Sequence, residues 1–336
     1  MTPPEKAKNE PVSAPRASFT NRSLALLLFY RSGWGKVLAK IAVTIGPGSQ
    51  KGAPPRQVLA HGKGWSVADI ICCAGPRDRS FEEQHKDVGI AIVVRGSFQY
   101  RSSIGRELMT PGSLLLGNAG QYFECGHDHA FGDRCISFTY SPEYFATLAA
   151  EANTGTRCGC FSSLRIPPMR ELSALIARAY ASLARATPPG ADFLNSNAWE
   201  EIAIEIAARS LTLESRARSK PVSLPSAEAR VTRALRSIDA HPEWAHDLIS
   251  LATEAKLSRY HFLRVFQELT GLTPHQFVLR TRLRTAAARL IVDAMPVLNI
   301  ALDSGFGDVS NFNHAFRAEF GMSPREYRTR HAQLAF

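Results

Sequence analysis

FLRVFQELTGLTPHQFVLR at 262–280 and FNHAFRAEFGMSPREYRTR at 312–330 are two copies of one pattern in a chain of 336 residues. Phe262, Phe266, Gly271, Pro274, Phe277 and Arg280 recur 50 positions later as Phe312, Phe316, Gly321, Pro324, Tyr327 and Arg330. Five identities and one aromatic exchange at constant offset mark an internal repeat. The helix before each copy repeats with one residue of slippage: Leu251-Ala252 to Ala255 against Ile300-Ala301 to Ser304.

Each copy reads as one supersecondary unit. A short helix (248–255; 297–304) meets a tight turn holding Lys256 in the first copy and Gly305 in the second. A second helix starts near Ser258 or Val309 and runs to Gly271 or Gly321, where a left-handed cap is wanted. Thr273-Pro274 and Ser323-Pro324 then open another helix, with Pro at the first helical position, and Ser323 to Glu326 has capping-box spacing. Two short helices at a sharp angle form a helix-turn-helix.

The second helices bury Phe262, Phe266 and Leu269, or Phe312, Phe316 and Phe320. Their other faces carry Arg259, Tyr260, Leu263, Arg264 and Gln267 in the first unit, and Ser310, Asn311, Asn313, His314 and Arg317 in the second. Arg suits guanine edges, and Asn or Gln suits adenine edges, in a major groove. These ten are the candidate DNA-binding residues. Leu263 offers only apolar contact, such as to a thymine methyl. Between the units, 274–295 reads as a long helix that spaces them, with Arg280, Arg282, Arg284 and Arg289 placed either for phosphates or for acids such as Asp293.

The stretch from about Ala227 to Arg330 resembles the DNA-binding domain of the AraC/XylS family of bacterial transcription regulators. Ile300-Ala301, Ser304-Gly305-Phe306, Asp308, Ser310-Asn311-Phe312, Phe316-Arg317 and Phe320-Gly321-Met322-Ser323-Pro324 followed by Tyr327-Arg328 carry the likeness. It implies two helix-turn-helix units in successive major-groove turns on one face of double-stranded DNA. His314 and Leu263 depart from the family pattern, which bears on the operator read.

Ahead of this domain the texture differs. Short β-prone runs (67–73, 89–94, 98–101, 114–116, 122–125, 135–140) alternate with turns at Gly96, Pro111-Gly112, Gly117-Asn118 and Gly132-Asp133, as in a small barrel or sandwich. Val88–Gly96, Pro111–Leu116 and Gly132–Cys135 are similar to the cupin-type barrel of many family members. Helical periodicity follows over 169–186 and 199–213; these helices either cover the barrel or pair with a second subunit. The expected fold class is therefore α+β with two domains: an N-terminal cupin-like β-barrel with following helices, and a C-terminal all-α domain of two helix-turn-helix units joined by a long helix. The expected divisions are 1–63, a disordered or unassigned basic extension; 64–214, sensor and dimerisation; 215–226, linker; and 227–332, DNA binding.

Charge agrees with a polyanionic partner. Of the net +10, residues 1–65 carry ten Lys and Arg against two Asp and Glu, 66–215 carry 13 against 17, and 216–336 carry 17 against 11. The longest apolar run, Leu24–Tyr30, is far short of the roughly 20 residues that span a bilayer. Six scattered cysteines suit a reducing cytosol. In a strand Cys125, His127 and His129 would face one way, and with Cys135 they offer two thiolates and two imidazoles that could bind zinc; the spacing is not a standard zinc pattern, and the simpler reading is strand and loop residues. Cys72-Cys73 read as one inward and one outward strand residue, and Cys158 and Cys160 as unpaired thiols.

The function expected is a sequence-specific DNA-binding transcription regulator responsive to a small-molecule effector. It would act as a cytoplasmic, nucleoid-associated homodimer, meeting RNA polymerase if it activates. No catalytic residue, metal or cofactor is called for, and no membrane partner. The alternative is a cupin-like enzyme tethered to DNA by its C-terminal domain, which would need convergent barrel ligands.

Overall fold

A computed structural model describes residues 54–332 apart from 77, 79, 81, 128–131, 153–159, 186–195 and 215–224. The chain is a two-domain α+β protein. Its strands are β1 (Arg56–Gly62), β2 (Trp65–Cys72), β3 (Glu82–Gln84), β4 (Val88–Gly96), β5 (Phe98–Ser102), β6 (Gly105–Met109), β7 (Leu114–Gly117), β8 (Tyr122–Gly126), β9 (Asp133–Tyr140) and β10 (Arg165–Ile166).

Helix α1 (Pro142–Glu151) follows β9, and α2 (Arg170–Arg185) and α3 (Ser196–Glu214) follow β10. The helical domain comprises α4 (Pro225–Ala240), α5 (Leu248–Glu254), α6 (Arg259–Thr270), α7 (Pro274–Val292), α8 (Val297–Asp303), α9 (Val309–Phe320) and α10 (Pro324–Ala332). Among the described residues no helix is long and apolar enough to cross a membrane.

The expected barrel is corrected. Among the described residues the strands do not close on themselves but form two antiparallel sheets, β1-β2-β9-β4-β7-β10 and β3-β8-β5-β6. The reason lies in β4, which is apolar and buried on both faces from Val88 to Val94. A barrel wall with a wet outer face would alternate; a sheet covered on both sides need not. Ile90, Ile92, Ile136 and Phe138 pack under α2 and α3, while Ala91, Val93 and Cys135 face Tyr100 and Phe98 of the smaller sheet.

The boundary at residue 63 is also corrected. Arg56–Gly62 pairs with β2 across a bulge between Val58 and Ala60. It is a largely exposed edge strand without apolar alternation, so it carries little of the pattern that marks a strand. Residues 1–53, His129 and Cys158 lie outside the described residues.

Helices α2 and α3 bury their apolar residues within the chain. Leu172, Leu175, Ile176, Trp199, Ile202, Ile206 and Leu211 join the core over the larger sheet, and Tyr140 donates its hydroxyl to the Ala203 carbonyl at 2.7 Å. Of the stripe read as a possible subunit seam, Leu211 is buried and Ile204 is 41% exposed. The buried members of the stripe thus cover the sheet, and Ile204 lies outside that contact.

Candidate nucleic-acid interface

Local hydrogen bonding builds each helix-turn-helix. Asp247 caps α5 by accepting from the Ser250 amide at 2.8 Å, and Ser258 caps α6 by accepting from the His261 amide at 3.3 Å. Asp308 caps α9 through the Asn311 amide at 2.6 Å. Gly271 and Gly321 end α6 and α9 in left-handed conformation, φ 78° and 77°. Both expected helix restarts are capping boxes: Thr273 with Gln276, and Ser323 with Glu326. The turn between α5 and α6 sets Lys256 at φ 52°, where the second unit has Gly305 at φ 86°.

Below each unit lies an aromatic core. Phe262, Phe266 and Leu269 pack with Phe277, Leu251 and, from α4, Val231 and Leu235. Phe312, Phe316 and Phe320 pack with Tyr327, Ile300 and Leu290. With one face held this way, the opposite face of α6 and α9 turns outward. Arg259, Tyr260, Arg264 and Gln267 are exposed, Tyr260 at 77%, and so are Ser310, Asn311, Asn313, His314 and Arg317. Leu263 is half-buried at the margin. Arg264 lies 3.7 Å from Glu268 one turn on, a surface pair of small energetic weight.

The spacer arginines are not a phosphate row. Arg284 is buried against the sheet domain, donating toward the Pro111 carbonyl at 3.4 Å, and burial lowers its pKa. Arg289 is buried between Asp293 and Asp303, at 3.1 and 2.9 Å. Arg280 donates to the Pro168 carbonyl at 2.8 Å and pairs with Glu319 at 3.4 Å. Arg282 spans the carbonyls of Pro242, Gly305 and Trp244 at 2.6–2.9 Å. A guanidinium turned into a domain interface must find acceptors there. Spacing along α7 did not reveal that its neighbours would be carbonyls.

A cavity of about 190 Å³ lies between the two sheets, bordered by Tyr100, Phe123 and His85. His85 Nε2 lies 2.7 Å from the Tyr100 hydroxyl, and its ring stacks on Phe123 at 4.1 Å. Burial drives the His85 pKa down to about 4, so this imidazole is neutral at pH 7. Across the cavity, burial would lower His127, but hydrogen bonds to Asp133 and Cys72 outweigh it and raise its pKa to about 10. His127 stands out in the sequence within the Cys125 to Cys135 run, whereas His85, Tyr100 and Phe123 meet only through the pairing of β8 with β3 and β5.

A helix-turn-helix family model matches residues 251–330, the span from α5 to α10. Over those residues the chain is similar to the AraC-type helix-turn-helix domain. The chain is 39% identical over 94 residues to the RCS-specific HTH-type transcriptional activator RclR of Escherichia coli, covering 28% of this chain and 33% of that protein. It is 35% identical over 91 residues to the probable transcriptional regulator LumQ of Photobacterium leiognathi, covering 27% and 37%. The DNA-binding domain of AdpA, solved in complex with a target DNA, aligns at 28% identity and TM-score 0.31, covering 31% of this chain and 95% of that one. The chain spans about a third of the length of the curated relatives it matches.

Proposed function

We propose that the chain is a sequence-specific DNA-binding transcription regulator. One observation carries the reading: two helices of equal length, α6 and α9, each bury a phenylalanine stripe and expose base-reading side chains on the opposite face. Arg259, Tyr260, Leu263, Arg264 and Gln267 would enter one stretch of major groove, and Ser310, Asn311, Asn313, His314 and Arg317 the next. Relatives named as transcriptional regulators support this over an enzyme.

The sheet domain, from β1 to α3, acts in this proposal as a cupin-like sensor, with the inter-sheet cavity taking a small-molecule effector. Helix α2 is the route to the reader: Leu172 and Ile176 face the sheet core, while Ala174 and Ala177 pack on the second unit's core. An effector that alters this packing would favour one docking state, as differential affinity requires. A homodimer on paired half-sites, meeting RNA polymerase when activating at the nucleoid, completes the reading. Its seam lies away from Leu211.

Fluorescence anisotropy on a genomic site selected by the full chain tests the proposal. Affinity falls log-linearly and steeply with salt. Arg264→Ala and Arg317→Ala each cost about 1–3 kcal/mol on the best site and relax preference at one position. A flat salt response, or equal losses on selected and random DNA for both variants, overturns sequence-specific reading.

A further inference from the structure

Asp69 and Asp133 sit in adjacent strands, both buried, and are neutralised differently. Asp69 receives Arg134 Nε and Nη2 at 2.9 and 2.7 Å. Asp133 instead has His127 Nε2 at 2.7 Å from Oδ1, and the Cys135 thiol donates to Oδ2 at 3.3 Å. The β2–β9 register sets Cys72 directly opposite Asp133, and His127 arrives from the other sheet, just past the end of β8. Cys72, His127 and Asp133 are all buried, and one donor atom from each lies within 4.8 Å of the others. All three border the inter-sheet cavity.

We propose that Cys72, His127 and Asp133 bind a divalent metal ion of the zinc class, with the fourth coordination position opening onto the cavity. The donor set selects the ion. One thiolate sulfur, one imidazole nitrogen and one carboxylate oxygen suit zinc. Calcium and magnesium want oxygen alone, and copper(I) wants sulfur. Three protein ligands with one position left open is the arrangement of an accessible zinc rather than a closed structural one.

Zinc bonds of about 2.0–2.3 Å place tetrahedral donors roughly 3.3–3.8 Å apart; the His127–Asp133 pair, now at 2.7 Å, would open on loading, and the other separations start from within 4.8 Å. Loading replaces the His127–Asp133 hydrogen bond; that proton and the Cys72 thiol proton leave to solvent. Cys135 is a positioning residue: its thiol holds Oδ2 and leaves Oδ1 for the ion. The three ligands come from two sheets and three chain segments, a convergence that one amphipathic face cannot produce by periodicity. The ligand set also differs from the Cys125, His127, His129, Cys135 run, sharing only His127 with it.

The test uses the full chain, tag-free, reduced and stripped with chelator, titrated with Co²⁺ and then Zn²⁺. The expected result is about one equivalent of cobalt, four-coordinate visible bands, a near-ultraviolet thiolate-to-cobalt band, and loss of both on zinc addition. Cys72→Ser abolishes the thiolate band and the metal-induced rise in melting temperature. Asp133→Asn weakens cobalt binding by at least about tenfold, and Cys135→Ala keeps the thiolate band at reduced affinity. If Asp133→Asn does not melt cooperatively, His127→Gln takes its place with the same expectation. No cobalt uptake by the folded wild-type chain overturns the proposal. So does a thiolate band that survives Cys72→Ser, or one lost in Cys135→Ala alone.

Discussion

The two helix-turn-helix units are one design in two surroundings. Each has a twelve-residue second helix, a left-handed glycine cap and a phenylalanine core. The first unit's cap is pressed against the sheet domain: a Cβ added at Gly271 would meet Pro167 at 2.8 Å, whereas one at Gly321 meets nothing within 4 Å. Arg165 of β10 reaches across to the Leu269 carbonyl at the same helix end, at 2.6 Å. The repeat therefore fixes what is inside each unit, and the neighbouring domain decides what each cap touches.

The sharpest way to break the equivalence is to empty both cores. Phe266→Ala and Phe316→Ala should each cost about 3–5 kcal/mol, because both rings are fully buried among aromatic neighbours. Urea denaturation measures both losses. A loss under about 1 kcal/mol at either site would mean that one unit is not packed like its twin.

The caps separate the units. Gly271→Ala and Gly321→Ala each force a side chain into left-handed backbone, at about 1–2 kcal/mol. Gly271→Ala adds the collision with Pro167, so it should be the more destabilising of the two and should loosen the sheet domain's hold on α6. Thermal melts rank the pair, and limited proteolysis between the domains reads the undocking. Equal melts with unchanged proteolysis would remove the asymmetry.

Protons give the smallest contrast. His331 in α10 aligns with Thr281 in the first unit, so only the second unit titrates at this position. Burial lowers the His331 pKa from 6.5 to about 4, and Arg178 and Arg185 of α2 and Arg330 push the same way. Between those values the unfolded chain binds the proton and the folded one does not, so stability falls as pH falls. Hydrogen exchange should speed up in α9 and α10 across that window before it does in α6. His331→Gln should flatten the difference; an unchanged slope would assign the titration to another group.

Legibility followed the range of the interactions. Gly271, Gly321 and the Thr273 and Ser323 boxes satisfy groups a few residues away, so they can be read in one dimension. The outward placement of the candidate residues on α6 and α9 was visible because a phenylalanine period of four fixes the inner side of a helix and hence the outer. The arginines of α7 failed that logic. Arg284 and Arg289 point inward, and whether a long cation meets phosphate, carbonyl or carboxylate depends on what another segment brings to it.

The sequence by itself determined the repeat, its caps, its buried stripes and the apolar strands of the first domain. All of these arise from side-chain period and from hydrogen bonds spanning three or four residues. Tertiary structure alone decided that the strands part into two sheets, that α2 and α3 spend their apolar stripes on one of them, and that Cys72 meets Asp133 and His127. Those outcomes depend on strand register. Cross-strand hydrogen bonds set the register between segments far apart in the chain, and no local pattern encodes the partner.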